Sequence, residues 1–402
     1  MLLHELLNEN LSLIGVKQAT EGDLEFAKSW SSKDEVLFVS NNNYEQFLLN
    51  LERIYSIREP IFTRFTRQKI YKYVEDELIK HKKNNKMFTK DVSNIFFHQF
   101  EEQKAYSKYI IAPISGIRLD RTQKINISIF EIGKASELKS ILSNDTDGYY
   151  IAVKIDDVYD DLVAIEEAKN KFSDFIRLIV FISGKNDKRI FIKTGLPSYP
   201  SISHQQMYVE TSSYHATNNI ENEFPNSSIS NTYVEKIPVD NEFFYKNDNF
   251  AKLWEIHERQ NSKKNTLEKR LLNASIAIGE SALSRNIKNS IIYTSMAFEI
   301  LFSFDEGSLF QKSIGDRLAD TFAFIVAKDK ETRLQTIKSV KSFYRLRSAL
   351  VHGGDSKVNN DYIIFNRLLS AAISELLNNV KYKDIKNIDA LYYMVKDAQN
   401  SY

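Results

Sequence analysis

Apolar positions recur along this chain in two rhythms. Glu35–Ser40 is a short apolar run of strand length, and Asn41-Asn42-Asn43 after it predicts a turn. Tyr44–Ile57 then carries Phe47, Leu48, Leu51 and Ile54 at the three- and four-residue spacing of a helix. Tyr109–Ile114 and Ile117–Leu119 are apolar around a break at Gly116. Beyond them Ile125, Ile127 and Ile129 alternate with Asn126 and Ser128, the period of a half-buried strand. Tyr149–Ile155 predicts a further strand, and Arg189–Lys193 reads as strand-like. Leu162–Phe181 is apolar at 162, 165, 172, 175, 176 and 179, which fits a helix, while its β-branched end also fits a strand. The N-terminal region is therefore expected to be α+β with antiparallel sheet.

Residues 196–247 change character. Pro197, Pro200, Pro225 and Pro238 sit among polar runs, which predicts a long irregular connection with a domain boundary near its end. From about Phe250 the rhythm is helical. Leu267–Leu283, Ile287–Phe304, Ile314–Ala327, Lys330–Val351 and Tyr362–Val380 each show helical spacing, and Ile385–Ala398 adds a shorter segment. Gly307 and Gly315 punctuate the second and third helices, and Gly353-Gly354 closes the fourth. Short links between five helices predict an up-and-down bundle. The expected division is 1–245, α+β, and 246–402, an all-α bundle.

Composition narrows the chemistry. The 402 residues carry a formal net charge of +1, so any nucleic-acid surface must be a local patch. There is no cysteine, which excludes disulfides, thiol nucleophiles and thiolate zinc sites. The first residues, Met1-Leu2-Leu3-His4-Glu5, lack the basic and apolar regions of a signal peptide. No apolar stretch approaches the roughly 18 residues that span a bilayer. A cytoplasmic protein that uses no membrane is expected. With twelve glycines, the chain shows no phosphate loop or dinucleotide fingerprint, and no cofactor is expected.

The informative stretch is Ser342–Asp355. Val340, Phe343, Leu346 and Leu350 form an apolar stripe, which gives this helix a core side. Arg333, Lys338, Lys341, Arg345 and Arg347 are all basic, with no acidic residue before His352. Such a one-signed field attracts phosphates. A histidine beside arginines can cut RNA, whose 2′-hydroxyl attacks its own phosphate. Imidazole moves the protons, and a guanidinium fork stabilises charge on the phosphorane. Alone, a helix-terminal histidine is more often a structural cap or dipole partner, and a basic run more often a solvated face. Which arginine partners His352 depends on the helix end. At about 100° per residue, 345 and 352 share a stripe, whereas 347 and 352 lie about 140° apart. If the helix runs through His352, Arg345 is nearer; if it unwinds at Val351, Arg347 can reach. Ser348 falls on the side of Arg345.

Arg347-Ser348-Ala349-Leu350-Val351-His352 fits the R-x4-H signature of HEPN domains, and Tyr344–Gly354 as a whole resembles the ApeA-like branch of that family. Ala297-Phe298-Glu299-Ile300-Leu301 and Ser313–Ala319 resemble the branch's second and third helices, so that the resemblance covers about residues 265–380. It implies a helical domain that dimerises and brings two motifs into one cleft that cuts RNA without metal. Arg347 would contact the scissile phosphate and His352 would transfer protons. Arg345, Ser348 and Lys341 would bind substrate, and Glu299 would support the site or pair structurally with Arg317 or Lys341. The branch often serves in defence against phage, which would give residues 1–245 a sensing or regulatory role toward a phage-derived trigger.

Two rivals stand beside this. A HEPN module without activity would bind nucleic acid or nucleotide as an adaptor. Asp120, Glu131 and Lys134 could imitate the acid–acid–lysine set of a metal nuclease on a β-hairpin. His204, His215 and His257 with Glu258 lack companion ligands for zinc and read as surface histidines. The run Lys80-His81-Lys82-Lys83 reads as a solvated helix end or a nucleic-acid contact.

Overall fold

The computed structural model describes residues 2–18, 26–31, 35–137, 148–185, 190–195, 209–211, 231–233, 236–259, 261–304, 314–353, 358 and 360–400. It divides into two compact units, one of residues 1–110 and 154–168, the other of 111–153 and 169–402.

The first unit opens with helix α1 (Leu3–Leu13). Strands β1 (Gly15–Gln18), β2 (Phe26–Ser31) and β3 (Glu35–Ser40) follow and pair antiparallel in the order β1-β3-β2. Helices α2 (Asn41–Tyr55), α3 (Glu59–Arg64), α4 (Arg67–Lys83), α5 (Lys90–Asn94) and α6 (His98–Glu101) complete it. Leu37 and Val39 on one face of β3 join Phe47, Leu51 and Ile54 of α2 in the core. The strand Glu35–Ser40 is found with the bounds expected. The asparagine turn is not: Asn41–Asn43 form the first turn of α2. Burial of the Phe47, Leu51 and Ile54 stripe outweighs the turn preference of those asparagines. Asp160 ties the unit together, accepting from both the backbone and the hydroxyl of Thr66, at 2.9 and 2.8 Å.

Strands β4 (Tyr106–Ser115), β5 (Ile117–Arg118), β6 (Lys124–Ile127), β7 (Phe130–Lys134), β8 (Tyr149–Val158) and β9 (Lys193–Thr194) come next, with helix α7 (Asp161–Ser183) between the last two. A five-stranded sheet runs in the order β6-β7-β8-β4-β9. Residues 162–181 are helical throughout. Phe172 and Phe175 of α7 pack against Phe130 of β7, with centroids 6.2 and 4.9 Å apart. Ile129 belongs to no strand: Ser128-Ile129 is a two-residue turn between β6 and β7, and Ser128 takes a φ of 53°. Of Arg189–Lys193, Arg189 lies outside the described residues, Ile190 forms an isolated bridge, and the strand itself is Lys193–Thr194, opposite Ser115 and Ile114. Most of 196–235 also lies outside them. Short strands β10 (Val209–Thr211) and β11 (Asn231–Tyr233) pair antiparallel, and β12 (Ile237–Pro238) runs parallel to β5.

The rest is helical: α8 (Ala251–Glu258), α9 (Thr266–Leu283), α10 (Ile287–Phe302), α11 (Ile314–Val326), α12 (Lys330–Val351), α13 (Asp361–Asn378) and α14 (Ile388–Asn400). Gly315 does not interrupt a helix but lies in the first turn of α11, and Gly307 is outside the described residues. Helices α9 and α10 pack as neighbours, as do α11 and α12, and α13 packs against α9, α10 and α11. Phe298 is the hub, with Phe322, Phe365 and Phe343 at 4.9, 5.8 and 6.2 Å. A buried polar seam crosses this core: the Asn366 amide donates to Ser281 Oγ at 3.0 Å and accepts from Thr294 Oγ1 at 2.8 Å. At Gly279 the helices α9 and α7 approach closely, since a Cβ there would stand 2.0 Å from the Arg177 carbonyl oxygen. The adjoining Arg177 Nε donates to Glu280 at 2.5 Å. The fold is thus an N-terminal α/β region with antiparallel sheets, followed by a mostly helical remainder. Among the described residues no helix is long and apolar enough to cross a membrane.

Candidate active site

Helix α12 is defined at both ends by its own sequence. Asp329 caps the start, its carboxylate accepting the Thr332 N–H at 2.9 Å. At the other end Gly353 takes a φ of +75°, which a β-carbon would disfavour, and the helix stops there. His352 is the last residue in register: its N–H bonds the Ser348 carbonyl at 3.1 Å, with φ −92° and ψ 12°. The question left open by the sequence is thereby answered for the backbone. Arg345, Ser348 and His352 share one stripe, and all three are exposed. Val340 and Phe343 are buried, while Leu346 and Leu350 are only partly so.

Arg347 looks elsewhere. Its Nη2 lies 3.6 Å from Glu299 Oε1 of α10, and the two side chains are 30% and 35% exposed. Its Nε is buried without a hydrogen-bond partner. Tyr344, a turn earlier on the same side, directs its hydroxyl toward the Ser295 carbonyl at 3.4 Å and Glu299 Oε1 at 3.5 Å. Burial, reinforced by the negative charge of Glu299, raises the Tyr344 phenol far above its ordinary range, so it stays a neutral donor. The expected pairing of Glu299 with Arg317 or Lys341 is not what is found. Lys341 sits opposite the first turn of α11 and binds Asp316 at 2.6 Å, and two nitrogens of Arg317 are buried without partners. Lys341 is therefore engaged away from His352. Sequence reasoning gave no role to Tyr344 or Asp316. For Tyr344 the signal was present, because residues three apart on a helix share a face.

The structure thus brings together Tyr344, Arg347 and Glu299 as one group, and Arg345, Ser348 and His352 as an exposed row. A groove of about 620 Å³ between α12 and α13, lined by Thr336, Ser339, Phe343, Leu346, Ile364 and Phe365 among others, contains none of the expected site residues.

In the rival acid–acid–lysine set, both carboxylates have other partners. Asp120 pairs with Arg118 at 3.1 Å. Glu131 pairs with Lys124 at 2.6 Å and accepts from the Tyr150 hydroxyl at 2.8 Å. Burial works against the Glu131 carboxylate, but these two donors hold its pKa below the ordinary value. Among the described residues no three His, Asp or Glu side chains are grouped to hold a metal ion. His257 is no surface histidine. It is half-buried between Phe130 and Trp254, at 5.5 and 5.9 Å, with Nδ1 3.0 Å from Ser128 Oγ. Burial, helped by Lys264 and Lys171, pushes its pKa down to about 4. His204 and His215 lie outside the described residues. Compared with known proteins, the chain matches no family model, no curated sequence and no solved structure.

Proposed function

We propose that this protein is a metal-independent RNA endonuclease whose C-terminal helices form a HEPN-type domain acting as a homodimer. One observation carries the reading. An exposed imidazole closes a helix that bears five basic residues and no acidic one from Thr332 to His352. In this mechanism the RNA 2′-hydroxyl attacks the adjacent phosphorus, losing its proton to a base. The bond to the 5′-oxygen then breaks, and that oxygen takes up a proton. His352 is the proton-transfer residue. Arg347 binds the scissile phosphate, and Arg345 and Ser348 hold flanking phosphate oxygens. One motif offers one histidine, and two proton transfers are better served by two, which is the reason for the dimer. Defence against phage, with residues 1–245 sensing a phage-derived trigger in the cytoplasm, is the setting the motif resemblance implies.

A specific observation favours a second reading, a HEPN module that binds nucleic acid without cutting it: Glu299 already engages the Arg347 guanidinium. Expression of the wild type beside Arg347→Ala and His352→Ala separates the two. A nuclease yields 2′,3′-cyclic phosphate and 5′-hydroxyl ends without added metal, and His352→Ala abolishes them while RNA binding persists. Cleavage that survives His352→Ala, or that EDTA abolishes, would refute the proposal.

A further inference from the structure

The groove between α12 and α13 takes no part in the chemistry assigned to His352. Two buried rings, Phe343 of α12 and Phe365 of α13, line it with centroids 4.4 Å apart. Leu346 adds a partly buried apolar surface, and Ile364 also faces the groove while 58% exposed. The rest of the α12 side is polar and uncharged. Gln335, Ser339 and Ser342 line it, all three exposed, and among the described residues none of them has a hydrogen-bond partner. Asp361, at the start of α13, is the charged residue of the described lining.

The basic row of α12 borders this uncharged side. Gln335 and Lys338 are three residues apart, as are Ser342 and Arg345, so each pair lies about 60° apart round the helix and in the same sense. Lys338 and Arg345 are exposed. Charge and groove therefore run side by side along one helix. Because α12 keeps its register as far as His352, the imidazole lies on the row of Arg345, about 9 Å along the axis beyond Leu346.

We propose that the groove receives an unstacked base of single-stranded RNA whose phosphates follow Lys338 and Arg345, and so sets the base preference of the cut. The cut rests on the nuclease reading; the binding does not. A base is uncharged and flat, with a face for Leu346 and Ile364 and edge donors and acceptors for Gln335, Ser339 and Ser342. A volume of about 620 Å³ is ample for it. A free anion would require cations inside the groove, where the charged group is Asp361. A second copy fits the nuclease reading poorly. His352 lies about 20 Å along α12 from Ser339, so copies packed antiparallel and groove to groove about Ser339 would hold their imidazoles about 40 Å apart.

The test uses the full-length His352→Ala chain, so that cutting does not intrude. Labelled homo-oligomers of A, C, G and U and an abasic oligomer are followed by anisotropy. The preferred base should bind at least about fivefold tighter than the abasic strand. Ser339→Ala with Ser342→Ala should narrow the spread among the four bases by about two- to tenfold and leave the abasic strand unmoved. Ile364→Ala should cost the preferred base about fivefold or more. Equal affinity for all five oligomers, or variants that weaken all five alike, overturns the proposal. So does an Ile364→Ala chain that binds RNA as before but sediments as a monomer where the parent is a dimer, which would give the groove to a second copy. The serine variants replace exposed hydroxyls, so they decide the matter if Ile364→Ala fails to fold. Base-dependent binding that these variants move, in a protein whose wild type cuts nothing, keeps this proposal and defeats the nuclease reading. Cleavage by the wild type with a base preference that the variants leave unmoved does the reverse.

Discussion

Glu299→Gln is the most informative single change at the candidate site. At 3.6 Å, with an effective dielectric of about 20, the gross attraction between Glu299 and Arg347 is about 5 kcal/mol. About a third of each side chain is exposed, so desolvation and screening leave a net contribution of about 0.5–1 kcal/mol. Glutamine keeps the shape and can still accept from Tyr344, while it removes a negative charge beside the group assigned to a phosphate. Glu299→Gln should therefore cost no more than about 1 kcal/mol of stability in urea denaturation. Released from that competitor, Arg347 should bind RNA phosphate more tightly, by about fivefold for a gain of about 1 kcal/mol. Anisotropy in the His352→Ala background reads the affinity without cleavage. Weaker RNA binding in Glu299→Gln would refute this reasoning and make Glu299 a support that Arg347 requires.

Two further expectations concern the helical part. Gly279→Ala would drive a β-carbon into the Arg177 carbonyl, with backbone on both sides of the clash; overpacking of this kind should cost about 1–3 kcal/mol or more, and a thermal midpoint within a degree of the wild type would contradict it. His257 titrates at about 4 in the folded chain, so between pH 6.5 and 4 the unfolded chain takes up a proton that the folded one refuses. Stability should fall through that window as pH drops, by at most about 1.4 kcal/mol per unit, and His257→Gln should flatten the slope in denaturation series at pH 7.5 and 5; an unchanged slope would count against it.

Legibility from sequence followed how local the deciding forces are. Lys330–Val351 is found with both ends as expected, because Asp329 and Gly353 are local signals and the apolar spacing between them is regular. The turn at Ser128 gave no such signal: a serine stands where a hairpin of this kind usually puts glycine. The asparagines of α2 were misleading because tertiary burial decided their state. At the site, the shared stripe of Arg345, Ser348 and His352 follows from helical arithmetic. That Glu299 meets Arg347, and Asp316 takes Lys341, depends on how three helices abut, which spacing within one helix does not encode.

The amide of Asn366 has a consequence for that abutment. Surfaces of leucine and phenylalanine are much alike from one turn to the next, so helices joined only by them can slip. Here a slide of one turn, about 5.4 Å, would strand an amide and two hydroxyls in hydrocarbon, each at about 1–3 kcal/mol. Helices α9, α10 and α13 are keyed to one alignment, and Glu299, about 7.5 Å along α10 from Thr294, is held at a fixed height in the stack.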